Sequence, residues 1–277
     1  MEKSKNTLFL FSLLFFIYYD IIQKEKKEKT MPKFFVSSNQ IENNKIIIVG
    51  TDVNHIKNVL RLQPNDLIEI CNPDEKQNYL CQIQTLSDEK IECKIQEEIE
   101  SITEPKTKVT IFQGLPKSDK MEFIIQKAVE LGAYDITPVE MTRCVVKLNE
   151  KDKIKKVDRW QKISEVAAKQ CGRDIIPKIN EVIQLKNISN ILNNYDVILV
   201  AYEKENKNSI KQELLKIKEN NLNKIGIVIG PEGGLDEKEV ELLKQNGAKV
   251  ITLGTRILRT ETVALNVLSN IIYELES

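Results

Sequence analysis

Three glycines, a proline and a carboxylate stand together at Gly230-Pro231-Glu232-Gly233-Gly234, where an apolar run gives way to a charged, helix-like stretch. Glycine accepts positive φ and lets backbone approach a ligand closely. Asp236 follows as a helix cap with Glu239 three residues on, the spacing of a capping box. A tight turn feeding a capped helix explains this segment equally well on its own. A second segment, Leu253–Leu265 (LGTRILRTETVAL), crowds Arg256, Arg259, Thr260 and Glu261 into the turn before the last apolar helix. The positive end of a helix dipole favours Asp and Glu, so two arginines there oppose it. Unfavourable charge at such a point suggests an anionic ligand such as phosphate; the alternative is an Arg–Glu surface pair. A third segment, Leu199–Glu203 (LVAYE), closes another apolar strand. None of the three is a G-x-G-x-x-G or a Walker A sequence, which withdraws support from the usual dinucleotide and nucleoside triphosphate folds.

The rest of the composition narrows the chemistry. The chain has 277 residues, 41% hydrophobic and 30% charged, which suits a globular protein with a real core. It has a single histidine, His55, so multi-His zinc sites are excluded and a Ser-His-Asp triad would have to use that residue. The five cysteines, Cys71, Cys81, Cys93, Cys144 and Cys171, form no C-x-x-C pair. That argues against a zinc ribbon and a disulfide framework and for a reducing compartment. Lys and Arg total 41 against 41 Asp and Glu, so no global field marks a nucleic-acid partner. Locally, Lys117 to Arg173 holds 13 Lys and Arg against 9 Asp and Glu. Such a stretch reads either as a solvated helix face or as a phosphate-contacting surface.

The elements that must position these segments fall into two sets. From Phe34 to about Ile102, short β-branched runs (FFVS, KIIIV, DLIEI, NYLCQIQTL, KIECKI) predict a compact β-barrel, with one helix over Asp52–Leu62 in which Val53, Ile56, Val59 and Leu60 repeat at helical spacing. Near Glu104-Pro105 the periodicity changes. Strands Val109–Gln113, Asp135–Val139, Val197–Ala201, Ile225–Ile229 and Lys249–Leu253 alternate with helices Ser118–Leu131, Lys153–Cys171, Ser209–Glu219, Asp236–Asn246 and Glu261–Leu275. Alternation of this kind predicts βαβ units around a mainly parallel sheet, with ligands beyond the carboxyl ends of its strands. All three chemistry-bearing segments lie at such ends. The domain boundaries expected are therefore 31–103 and 104–277, after an N-terminal extension, 1–30.

That extension does not match the remainder. Thr7 to Ile22 is a 16-residue apolar run, preceded by Lys3 and Lys5 and followed by charges at 24–29. As a helix it spans about 24 Å, short of the ~30 Å hydrocarbon core. A start codon assigned too early, with Met31 the true first residue, is preferred over a membrane anchor; a cleaved signal ranks last because no small-x-small site precedes KEKKEK.

Taken together, GPEGG and LGTRILRTETVAL resemble the bacterial 16S ribosomal RNA uridine-N3 methyltransferases (RsmE type) of the SPOUT superfamily. The resemblance runs from Met31 to the C-terminus. It includes MPKFF, His55-x-x-x-Val59-Leu60-Arg61, Lys117-x-x-Lys120-Met121-Glu122, Gln126-Lys127-x-x-Glu130-Leu131-Gly132, Arg159-Trp160 and Gln170-x-x-Arg173-x-x-x-Pro177. Cys144, Cys171 and Thr255 stand where serine, serine and proline are expected, and none of the three removes a group that the reaction needs.

The resemblance implies an α/β fold whose C-terminal domain is a trefoil knot, beside an N-terminal PUA-like β-barrel that grips RNA. It implies a cytoplasmic homodimer that uses S-adenosyl-L-methionine, with no metal, to methylate N3 of a uridine in 16S rRNA of the small ribosomal subunit, and no membrane role except through residues 1–30. On it rest the expected roles: Arg259, Glu232 and Glu261 in catalysis; backbone groups of Val200, Ala201, Ile229, Gly230, Gly234, Leu253, Ile257 and Leu258 around the cofactor; Lys117, Lys120, Arg143, Arg173 and Arg61 on RNA, with His55 either on RNA or in a helix-surface or core role. Two other readings stay open: an inactive RNA-binding factor in ribosome assembly, and a methyltransferase acting on another RNA or a small molecule.

Overall fold

The computed structural model describes residues 31–276. The expectations for residues 1–30 lie outside the described residues. Two compact units are present, one ending at Glu100 and the other beginning at Ser101.

In the first unit, strands β1 (Lys33–Phe35), β2 (Ile41–Glu42), β3 (Lys45–Val49), β4 (Leu67–Asn72), β5 (Gln77–Leu86) and β6 (Lys90–Ile99) form one sheet in the order β1-β4-β5-β6-β3-β2. Only β1 on β4 is parallel; the other pairs are antiparallel. Alternate residues (Ile46 and Ile48, Ile68 and Ile70, Cys81 and Ile83, Ile91 and Cys93) point into one core with Phe34, as the period of two dictates. Register shifts in the β5–β6 pair at Leu80/Cys81 and Ile83/Thr85 mark bulges, which bend the sheet. Burial pushes the thiols of Cys81 and Cys93 up to about 12, so both behave as inert core residues.

The expected helix over Asp52–Leu62 differs. It begins as α1 (Thr51–Asn54) and widens into a π-helical turn at His55–Val59, where the Leu60 amide donates to the His55 carbonyl. The wider turn shifts the phase of the helical face. Val53 and Ile56 stay buried, but Val59 is 64% exposed and Leu60 is exposed too. The chain leaves through Arg61 at φ +56°, a left-handed conformation uncommon for a non-glycine residue.

The second unit is built on β7 (Lys108–Gly114), β8 (Asp135–Glu140), β9 (Lys178–Ile179), β10 (Ile183–Gln184), β11 (Val197–Ala201), β12 (Lys224–Ile229) and β13 (Lys249–Ile251). All pair in parallel, in the order β10-β8-β7-β12-β11-β13, with β9 also on β8. β7 and β12 are buried along nearly their whole length, because helices cover a parallel sheet on both faces. Those helices are α2 (Lys120–Glu130), α3 (Glu150–Cys171), the short α4 (Ser189–Leu192), α5 (Ile210–Glu219), α6 (Glu237–Gln245) and α7 (Thr260–Leu275). Asn149, Ser209 and Asp236 cap α3, α5 and α6 with side-chain bonds to backbone amides. The sequence reading did not find β9, β10 or α4; each is four residues or fewer, too short to show a period.

The last part of the chain takes an unusual path. β13 is an edge strand on β11, and just beyond it Thr252 bridges Ser209, its amide bonded to the Asn208 carbonyl. From there residues 253–259 cross the carboxyl ends of the strands to reach α7, whose first residue bonds to the end of β12. α7 packs against both α2 and α5. At its far end, the Glu276 carboxylate accepts hydrogen bonds from the amides of Lys106 and Thr107. Nearby, Glu104 accepts from the amides of Asp174 and Ile175 and from the Arg173 guanidinium, and Asp174 accepts from Ser101 and Thr103. Residues 101–107 are thus fastened onto the second unit.

Candidate active site

A cavity of about 510 Å³ opens beyond the carboxyl ends of β11 and β12 and the end of β13. Its walls are the three segments singled out above: Ala201–Glu203, Ile229–Leu235 and Thr252–Thr260, closed by Lys120 and Val263. Its size falls in the range that takes a nucleoside-sized ligand.

The Gly230–Gly234 loop is tight. A Cβ on Gly230 would meet the carbonyl carbon of Gly234 at 2.9 Å and the amide of Leu235 at 3.0 Å. At Gly234 the backbone is left-handed, φ +69°, and a Cβ would meet the Glu203 carboxylate at 2.8 Å. Glycine is therefore required by close backbone approach at the first and by conformation at the second. Thr260 fastens α7 to this loop. Its hydroxyl donates to the Gly230 carbonyl at 2.7 Å and accepts from Gln113 Nε2 at 2.9 Å. Gln113 is the next-to-last residue of β7, is fully buried, and also donates to the Gly114 carbonyl. Its Oε1 has no hydrogen-bond partner among the described residues. Sequence reasoning missed Gln113 and gave Thr260 no role, since a strand-end glutamine far from both motifs carries no local signal.

Charge is arranged in layers. Lys120 Nζ stands 3.1 Å from Glu232 Oε1 and 3.6 Å from Glu261 Oε2. Glu232 Oε1 also accepts the Lys117 amide at 3.0 Å. Burial pushes the Glu232 carboxyl up, but its own amide, the Lys117 amide and the Lys120 ammonium outweigh this and hold it below the usual range. The hydrogen bond to Glu232 raises Lys120 above the usual lysine value. Among the described residues, no carboxylate pairs with the guanidinium of Arg256 or Arg259, although both line the cavity. The alternative of an Arg–Glu surface pair is thereby removed: Glu261 pairs with Lys120 instead.

Ala201, Ile229, Gly230, Gly234, Leu253, Ile257, Leu258, Glu232 and Arg259 all line the one cavity. Val200 does not. The lining on this strand begins one residue later, at Ala201, and the Val200 side chain is fully buried within β11. Glu261 stands just behind the wall, linked to it through Lys120.

The residues expected on RNA phosphates fare differently. Arg173 is a correction: its side chain is only 5% exposed, bonded to Glu104 and to the carbonyls of Val129 and Ala133. All four hydrogen bonds of its guanidinium run to groups of the protein, so its role is to hold the fold. Arg143 reaches the Gly233 carbonyl at 3.1 Å and Asp236 at 3.4 Å, bracing the glycine-rich loop. Lys117 and Arg61 are exposed. His55 is exposed and meets the Phe34 ring edge-on at 6.0 Å.

Residues 103–272 match the RNA methyltransferase domain family, and residues 49–96 match the RNA methyltransferase PUA domain. A ribosomal RNA small subunit methyltransferase E of Bacillus subtilis is 38% identical over 256 residues, spanning 89% of this chain and 98% of that protein. The chain belongs to the ribosomal RNA small subunit methyltransferase E family. A second relative in the family, from Mesomycoplasma hyopneumoniae, is 36% identical and covers 87% of this chain and 99% of its own. A crystal structure of the Neisseria gonorrhoeae family member bound to S-adenosyl methionine superposes with a TM-score of 0.77 at 28% identity, covering 88% of this chain and 97% of that one. The fold is thus α/β with a PUA-like domain. Among the described residues no helix is long and apolar enough to cross a membrane, and no cluster of three or more His, Cys, Asp or Glu could hold a metal.

Proposed function

We propose that this protein methylates N3 of a specific uridine in 16S rRNA of the small ribosomal subunit, using S-adenosyl-L-methionine, as a cytoplasmic homodimer. The observation that carries this reading is the cavity at the strand ends, walled by GPEGG and RILRTET, with two guanidinium groups in it that no carboxylate among the described residues neutralises. The cavity fits the cofactor on the chemistry of its lining: apolar Ile229, Leu235, Leu258 and Val263 suit an adenine, and backbone groups of the 253–258 segment in its wall suit its polar edge. The crossing of residues 253–259 over the strand ends, beside a 208–209 segment tied to Thr252, supports threading as a trefoil knot, an exception to the rule against knots.

S-adenosylmethionine, when bound, supplies a methyl group already activated by its sulfonium. The chain's part is to hold the uracil in line and to help N3 lose its proton, since a neutral imide is a poor nucleophile. Arg259 is assigned to the uracil carbonyls, where its charge stabilises the developing imidate, or to the target phosphate. Glu232, held ionised by Lys120 and two amides, is a weak proton acceptor and orients instead. Its neighbour Glu261 is the other carboxylate to test. Lys117 and Arg143 around the cavity, with Arg61 and His55 in the first unit, are assigned to RNA.

The test is mass spectrometry of nucleosides from small-subunit rRNA, in cells with and without this gene. Loss of 3-methyluridine, restored by a version starting at Met31, is the expected outcome. An unchanged 3-methyluridine level refutes the assignment.

A further inference from the structure

Lys120 carries a role that its place in a basic segment does not suggest. It is the first residue of α2, yet its ammonium touches carboxylates on two other elements: Glu232 in the glycine-rich loop and Glu261 in the first turn of α7. Glu261 Oε2 is buried and has no hydrogen-bond partner among the described residues, so the ion pair at 3.6 Å is what compensates its charge. A buried carboxylate that loses its counterion is strongly unfavourable. The lysine side chain is about two-thirds covered, lines the cavity wall and is engaged there, not displayed to solvent.

We propose that Lys120 is a positioning residue for methyl transfer: it occupies Glu232 and Glu261 together, holding two walls of the pocket at a fixed separation and leaving Arg259 unpaired for the substrate. The inference rests on the methyltransferase reading above. Both walls belong to one site, and Thr260 joins them at the Gly230 carbonyl while Lys120 joins them at the side chains. Without a cation between them, Glu232 and Glu261 would repel each other, and Arg259, which with Arg256 lines the same cavity as Glu232, would be drawn to answer them. An arginine drawn into that pair is no longer free to meet an imidate. The lysine thus acts through other groups and not on the reacting atoms.

The test uses the full chain with Lys120→Met and Lys120→Arg. Methyl transfer to isolated small subunits is measured with labelled S-adenosylmethionine, cofactor binding by calorimetry, and rRNA affinity across a salt series. Lys120→Met is expected to lower kcat at least tenfold and to weaken cofactor binding by up to about fivefold, the range of a partly exposed charge pair. The salt slope for RNA is expected to stay at the wild-type value. Lys120→Arg, which can bridge two carboxylates, is expected to recover most of kcat. Should Lys120→Met fail to fold, Lys120→Gln keeps the length without the charge and is expected to show the same loss. Wild-type kcat and cofactor affinity in a folded Met or Gln variant overturn the proposal. So does a salt slope reduced by about 0.7–0.9 with cofactor binding intact, the signature of one lost phosphate contact. A wild-type protein that neither binds the cofactor nor methylates rRNA overturns the methyltransferase reading itself, a result distinct from either.

Discussion

Replacing Thr260 by Val keeps the shape of the side chain and removes one hydroxyl. That hydroxyl is both donor and acceptor, to the Gly230 carbonyl at 2.7 Å and from Gln113 Nε2 at 2.9 Å, in a residue only 6% exposed. Each such bond contributes about 1 kcal/mol net, and both partners are left short of a bond, so the loss is about 2 kcal/mol. For a unit of this size that lowers the melting temperature by roughly 4–8 °C. The same bonds hold the start of α7 against the glycine-rich loop, so cofactor binding should weaken about tenfold, or ~1.4 kcal/mol. Thermal unfolding and calorimetry measure the two effects separately. Thr260→Ser keeps the hydroxyl and should retain the affinity. If Thr260→Val melts with the wild type and binds S-adenosylmethionine equally well, the clasp between helix and loop is not what shapes the pocket.

Arg173→Met should destabilise the protein by about 1–3 kcal/mol, because the carbonyls of Val129 and Ala133 and the part-buried Glu104 lose their donor, while the salt dependence of RNA binding read by filter binding stays unchanged. Arg259→Ala should leave stability and cofactor affinity near wild type and lower methyl transfer by about 10²–10³; full activity in that variant would remove Arg259 from the mechanism. For Glu276, burial raises the carboxyl and the Thr107 and Lys106 amides pull it further down, so its folded value lies below the unfolded 4.5. A depressed carboxyl contributes its stability above pH 4.5 and loses it as pH falls through the folded value. Chemical unfolding should therefore show the wild-type advantage over Glu276→Gln fully present at pH 7 and shrinking as the pH drops below 4.5.

Much of this was readable in the chain because the signals are local. The strands of the parallel sheet announce themselves as continuous apolar runs, and Asp236 with Glu239 forms the capping box that its spacing predicts. What could not be read was direction. Lys120, Arg143 and Arg173 share one basic segment, and composition treats them alike. Folding turns Arg173 into the interior, sets Arg143 against Gly233 and places Lys120 between two glutamates. The partners of all three lie at least 40 residues away, with Arg173 reaching back 69 to Glu104 and Lys120 forward to Glu232 and Glu261. Likewise, the apolar spacing after Asp52 fits an α-helix, and only the π-helical turn explains why Val59 faces out. Gln113 was invisible for the same reason: its partner Thr260 is 147 residues distant.

The fastening of Glu276 to Lys106 and Thr107 bears on how the protein is made. That contact closes a loop of 170 residues, and the one between Thr260 and Gln113 closes another of 147. β7, near the start of the second unit, finds its partner β12 only after more than a hundred further residues have been synthesised. Contacts so distant in sequence pay their loop-closure entropy before they return anything, which makes folding slow. On a translating ribosome, the first unit can therefore finish folding while the second is an open, apolar intermediate awaiting its last helix. The catalytic pocket is among the final things to exist, and its assembly signals that the whole chain has closed.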